Sequence, residues 1–116
     1  MEKTSAKHVF EPLAWLLQLI TGILLAFLIT IHFYVTHLES HEAISYAAVI
    51  ERLSSPSYKI MYVLLLLFVS FHAFNGLRAI LLDTNFGAKR RGFTNVVTML
   101  LFLLAFFYGF YLLLII

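Results

Sequence analysis

The sequence predicts an all-α fold, an integral membrane bundle of three transmembrane helices that forms part of a larger helical assembly. Three observations carry this reading. Of the 116 residues, 62% are hydrophobic and only 12% charged, whereas a soluble domain is roughly half apolar and about one-quarter charged. The mean hydropathy is +0.95. Three stretches, Leu13–Thr36, Ile60–Leu77 and Phe93–Ile116, contain no Asp, Glu, Lys or Arg. Each meets or nearly meets the ~20 apolar residues that cross a bilayer at ~1.5 Å rise per residue, and a helix satisfies its own backbone groups in lipid. The length allows one domain, residues 1–116, with helices at about 13–36, 57–83 and 93–116.

The first helix is too long for a cleavable signal peptide, and Thr36-His37-Leu38 is not a small-residue cleavage site. Within it, Gly22 and Ala26 stand four residues apart, a spacing that lets helix backbones approach closely. Leu38–Ser57 forms a loop in which Ile44, Ala47, Ala48 and Glu51 recur at helical spacing. Two readings stand side by side there, a short helix on the membrane surface and a solvated connector. Ser55 followed by Pro56 reads as a cap and first helical residue. The second helix extends past Leu77 to Leu82 if Arg78 snorkels, and Asn85-Phe86-Gly87 signals a turn after it. The third helix carries a second small-residue pair, Ala105 and Gly109.

Charge sets the expected orientation. Lys3, Lys7, Arg78, Lys89, Arg90 and Arg91 lie on one side of the three spans; Arg52 and Lys59 lie on the other with Glu39, Glu42 and Glu51. The positive-inside rule places the amino terminus and the Lys89-Arg90-Arg91 loop inside, and the carboxyl terminus outside. A net charge of +2 is too small to suggest nucleic acid. The chain has no cysteine, which excludes disulfides, thiolate zinc, iron–sulfur ligation and covalently attached haem.

The chemistry rests on histidine, because an ionisable group inside a span is costly and marks function by default. His32 and His72 are such residues; His37 sits at the outer end of the first helix, and His8 and His41 read as wet surface residues. His72 lies 11 positions before Asp83, roughly 16 Å above the inner end and close to mid-bilayer. His72, Gly76, Ala79 and Asp83 share one stripe, so the histidine has a glycine one turn below it, where a flat porphyrin finds room. His32 shares a stripe with Thr21, Leu25 and Leu28, with Gln18 nearby. It lies about 28 Å along its helix from Leu13, so the two histidines differ in depth by roughly 12 Å. One metal is not held by both. Each ligates a separate haem iron, or only one is a ligand; His37 is the less favoured outer candidate, since it points away from the His32 stripe. Neutral imidazole suits haem iron, and one histidine per depth requires a second chain for the other axial ligand. A hydrogen-bonded histidine without a metal is the competing reading of each. Arg78 is either a positive-inside anchor or a partner for a haem propionate.

These pieces resemble the haem-b membrane anchor subunits (SdhC/SdhD type) of succinate:quinone oxidoreductases and fumarate reductases, respiratory complex II. The resemblance covers nearly the whole chain. Its most specific element is His72-Ala73-Phe74-Asn75-Gly76-Leu77-Arg78 followed by Asp83, similar to that family's second-helix His-x-x-x-Gly-[IL]-Arg…Asp segment; Thr21-Gly22 with His32 ten residues later looks like the first helix of its dihaem members. The resemblance implies haem b bound by His72 on the inner side and a second haem at His32, both shared with a partner anchor. It also implies an inner face that binds the iron–sulfur subunit, which carries the flavoprotein, and electron transfer to membrane quinone. The cofactor-binding set is then His72, His32, Gly76 and Arg78, with Gln18 as a quinone contact. One departure stands out: the family's Ser…His-Arg-x-[ST]-Gly segment reads Gln18-Leu19-Ile20-Thr21-Gly22 here, without the arginine, and Thr84 replaces a tyrosine often found after the aspartate. This moves much of the quinone site to the partner. Two other functions compete, a cofactor-free structural or assembly anchor and a small proton-coupled transporter subunit; the second is disfavoured because no carboxylate accompanies the histidines within the membrane.

Overall fold

The computed structural model describes residues 2–116, with side chains from Phe10 onward. His8, Lys3 and Lys7 lie outside the residues whose side chains are described. Helices account for the architecture, with no strand among the described residues. α1 spans Glu2–Phe33 and continues into a π-helical turn, Tyr34–Leu38; α2 spans Tyr46–Ser54, α3 Pro56–Leu82, α4 Asn85–Lys89 and α5 Arg91–Ile115. Three of these, over Phe10–Leu38, Pro56–Leu82 and Arg91–Ile115, are long and apolar enough to cross a membrane.

α3 is the middle helix. It packs against α1 on one side and α5 on the other. The pairs that meet show antiparallel neighbours in fixed register: Gln18 faces Asn75, Thr21 faces His72 and His32 faces Tyr62, while Asn95 faces Arg78 and Phe102 faces Phe71. The molecule is correspondingly long and narrow, 56 × 26 × 25 Å.

The buried positions are small and polar more often than large and apolar. Thr21, Ser70, Thr94 and Thr98 are buried with Ala14, Leu25 and Val35, whereas Phe27, Ile80, Phe93, Leu104 and Tyr108 are exposed. That inversion follows from the solvent. Lipid is as apolar as leucine, so helices associate through close approach and hydrogen bonding rather than through apolar burial. The Thr21 and Thr98 hydroxyls return to their own helices, Thr21 to the Leu17 carbonyl at 2.7 Å and Thr98 to the Thr94 carbonyl at 2.9 Å, while the Thr94 hydroxyl crosses from α5 to the Gly87 carbonyl of α4 at 3.3 Å. Gly109 forms a notch for Leu66, whose Cδ2 is 2.7 Å from where a Cβ would stand.

The ends differ from the sequence-based boundaries in instructive ways. The loop after α1 does form a short helix, α2, capped by the Ser45 hydroxyl, which accepts from the Ala48 N–H at 3.3 Å. α2 packs on α3, with Ala48, Val49, Ile50 and Leu53 half-buried and Ile44 and Ala47 exposed. Asn85-Phe86-Gly87, read as a turn after the second long helix, opens the five-residue helix α4, capped by the Thr84 hydroxyl, which accepts from the Gly87 N–H at 3.0 Å. Glycine is required at 87: a Cβ there would stand 1.9 Å from the Leu81 carbonyl oxygen.

Candidate functional site

His72 sits in the middle of α3, half-buried on the α1–α3 seam. Its ring Nδ1 is 3.2 Å from the Thr21 hydroxyl, and its Cε1 is 3.2 Å from the position a Cβ on Gly22 would take. Gln18, one turn before Gly22, donates its amide to the His72 carbonyl at 3.0 Å and accepts from the Asn75 amide at 2.9 Å. Asn75 also reaches the Ala14 carbonyl at 3.3 Å. These contacts lock α1 and α3 at the depth of the histidine. The ring faces an open groove of about 370 Å³, lined otherwise by Trp15, Gln18, Leu19, Gly22 and Ile23. Trp15 stands 68% exposed at its rim, so the groove is bounded by this chain on one side only.

The glycine beside the histidine ring is therefore Gly22 of the facing helix. Gly76, expected to open space next to His72, packs against the Gln18 amide nitrogen, 3.1 Å from where its Cβ would be. Gln18, singled out as a quinone contact, spends both ends of its amide on α3.

His32 lies further toward the α2 end of the bundle. It packs edge-on against Tyr62, ring centroids 5.7 Å apart, and Tyr58 stacks on Tyr62 in turn. Its Nδ1 is buried without a hydrogen-bond partner among the described residues. Tyr62 and His72 are both on α3 and ten positions apart, about 15 Å of helix, so the two histidines do occupy separate depths. The His37 ring packs at a tilt against Phe33, ring centroids 5.0 Å apart.

Arg78 is buried and faces a different cavity from His72, one of about 180 Å³ between α1, α3 and α5 that Phe10, Phe74, Asn75, Asn95 and Met99 help to line. Its guanidinium pairs with Glu11, donates through Nε to Asn95 at 2.7 Å, and lies 5.2 Å from the Phe10 ring centroid. Arg91 joins the same carboxylate at 2.6 Å. One glutamate thus ties all three long helices together at one end of the bundle. Glu11 and Asn95 carry no motif signal. The sequence hint was compositional only, a carboxylate immediately before a long apolar run. Among the described residues, no cluster of three or more His, Cys, Asp or Glu is arranged to hold a metal.

A family model for the succinate dehydrogenase/fumarate reductase transmembrane subunit matches residues 4–112. The chain is 62% identical over 113 residues, 97% of each chain, to a succinate dehydrogenase hydrophobic membrane anchor subunit of Archaeoglobus fulgidus. A protein of the same description from Thermoplasma acidophilum is 27% identical over 93 residues, 79% of this chain and 76% of that one. No solved structure matches the chain.

Proposed function

The chain belongs to the family of succinate dehydrogenase/fumarate reductase transmembrane subunits, and we propose that within such a complex it is a haem-b-binding anchor with His72 as the iron ligand. It is a multi-pass membrane protein with three spans. The observation that carries the haem reading is the groove at mid-span, where an imidazole faces open space and the facing helix presents Gly22 in place of a side chain.

The residues fit the group. The groove lining is apolar apart from Gln18, which is committed to α3, and the Trp15 indole N–H, as a macrocycle's faces require. His72 would be this chain's ligand to the iron, since it is the imidazole that lines the groove. The open side of the groove would be covered by a partner anchor chain, which would contribute the other ligand to the group. Bound haem supplies a one-electron centre between the iron–sulfur subunit and membrane quinone. The chain's own residues do the positioning: Gln18 and Asn75 hold α1 against α3 at the level of His72, and Glu11 with Arg78, Arg91 and Asn95 fixes the inner ends of the helices. That inner end, with Lys89 and Arg90 beside it, receives the iron–sulfur subunit and, through it, the flavoprotein. In this arrangement Arg78 supports the fold and does not reach the His72 groove, so a propionate partner comes from another residue or chain.

A second haem at His32 is favoured by one observation, the buried and unpartnered Nδ1. The test for both is haem quantification by pyridine haemochrome on the purified complex. His72→Ala removes one haem per complex while the complex still assembles, and His32→Ala removes another if the dihaem form holds. A His72→Ala complex with full haem content overturns the assignment, and a wild-type complex without protohaem leaves a cofactor-free anchor.

A further inference from the structure

Thr21 is the side chain that meets the His72 ring at its nitrogen, and its hydroxyl has a single proton. That proton is directed to the Leu17 carbonyl at 2.7 Å, with the Gln18 carbonyl at 3.1 Å as a second acceptor, while His72 Nδ1 is further away at 3.2 Å. The hydroxyl therefore presents a lone pair to the ring, and the ring nitrogen must supply the hydrogen. The opposite arrangement places a proton on Nε2. The groove that the ring faces offers no free acceptor for it, because its lining is Trp15, Leu19, Gly22, Ile23 and a Gln18 whose oxygen already accepts from Asn75. An unsatisfied N–H in an apolar layer is costly.

We infer that Thr21 is a positioning residue that sets the His72 tautomer, holding the proton on Nδ1 so that Nε2 keeps the lone pair directed to the groove. Gly22, next in sequence, keeps the ring face clear, so two consecutive residues of α1 determine both the protonation and the orientation of a side chain on α3. The inference rests on the haem reading above and deepens it. A histidine that donates its second N–H is a better-oriented and more basic ligand, and losing the acceptor costs about 10–100-fold in metal affinity in comparable sites.

Two measurements test this, on Thr21→Val, which keeps the shape and loses the oxygen, and Thr21→Ser, which keeps the oxygen. In the assembled complex, Thr21→Val weakens haem retention about tenfold and raises the midpoint potential of the His72 haem, since a less basic imidazole stabilises the ferric state less; Thr21→Ser restores both. In the haem-free full-length chain in detergent micelles, ring-15N-histidine NMR, with the His72 signals assigned by their absence in His72→Ala, shows the Nδ1–H tautomer in wild type and Thr21→Ser. The same spectra show a shift toward Nε2–H in Thr21→Val. An unchanged tautomer in Thr21→Val overturns the inference. If His72→Ala loses its haem but Thr21→Val keeps wild-type potential and haem content, the role of Thr21 fails while the ligand assignment stands. If His72→Ala keeps its haem, the ligand assignment itself has failed.

Discussion

The Asn75 amide of α3 donates to Gln18 Oε1 of α1 at 2.9 Å, and the same glutamine returns its own amide to the His72 carbonyl at 3.0 Å. The pair works as a clasp at the depth of the candidate haem ligand. In lipid the helices gain little from apolar contact, so such polar clasps decide which faces meet. Replacing Gln18 by Leu loses both links and leaves the Asn75 amide only its longer bond to the Ala14 carbonyl at 3.3 Å. The expected cost is about 1 kcal/mol, since interhelical hydrogen bonds in membranes average roughly 0.6 and reach about 1.7 kcal/mol. Thermal unfolding of the detergent-solubilised complex reads it, and a melting temperature equal to wild type refutes the clasp.

Gly22 keeps the His72 ring where it is. A Cβ at this position would stand 3.2 Å from the ring Cε1, tight enough that Ala requires a small shift of the ring and Val a large one. Gly22→Ala should retain haem with a perturbed visible spectrum, and Gly22→Val should lose most of it without loss of the assembled complex. Equal haem occupancy in both variants contradicts the proposed role of the glycine.

Glu11 offers a stability test independent of haem. Its carboxylate binds Arg78, which is only 8% exposed, and Arg91. Removing one partner of a fully buried pair costs roughly 3–5 kcal/mol. Here the glutamate side chain is 39% exposed, so water screens part of that, and Glu11→Gln should cost about 2 kcal/mol. Arg91→Gln should cost less than about 1 kcal/mol, because its side chain is 40% exposed. Guanidinium titration of the two variants ranks them, and the reverse order would falsify the assignment of Glu11 as the buried cation's counter-ion.

The absence of cysteine makes orientation directly measurable. Glu42→Cys lies in the loop before α2 and Lys89→Cys at the end of α4, on opposite sides of the spans. With the amino terminus inside, a membrane-impermeant maleimide applied to intact cells labels the first and spares the second. Labelling of position 89 alone inverts the topology.

Much of the scaffold was legible in the sequence. Three charge-free runs are a direct consequence of what a hydrocarbon layer tolerates, and the spans follow from them to within a few residues, apart from the longer amino-terminal reach of α1. Of the stripe read as Thr21, Leu25, Leu28 and His32, Thr21 and His32 do meet α3, as does the neighbouring Gln18, because a helical face is set by spacing. The short helices were harder. α4 depends on the Thr84 cap and on a glycine pressed against a backbone carbonyl, neither of which periodicity records.

Composition and spacing by themselves determined the class of the protein, its three crossings and the placing of two histidines at separate depths. Tertiary structure alone decided that Thr21 and Gly22 serve His72 and not His32, that Gly76 is covered by Gln18, and that Arg78 turns to Glu11 and Asn95 instead of to the histidine groove. The reason is physical. A helix's sequence specifies which residues share a face, but not how far that helix slides or rotates against its neighbour. In a bilayer the surrounding lipid is as apolar as the helices, so a handful of polar contacts and missing side chains settles the register.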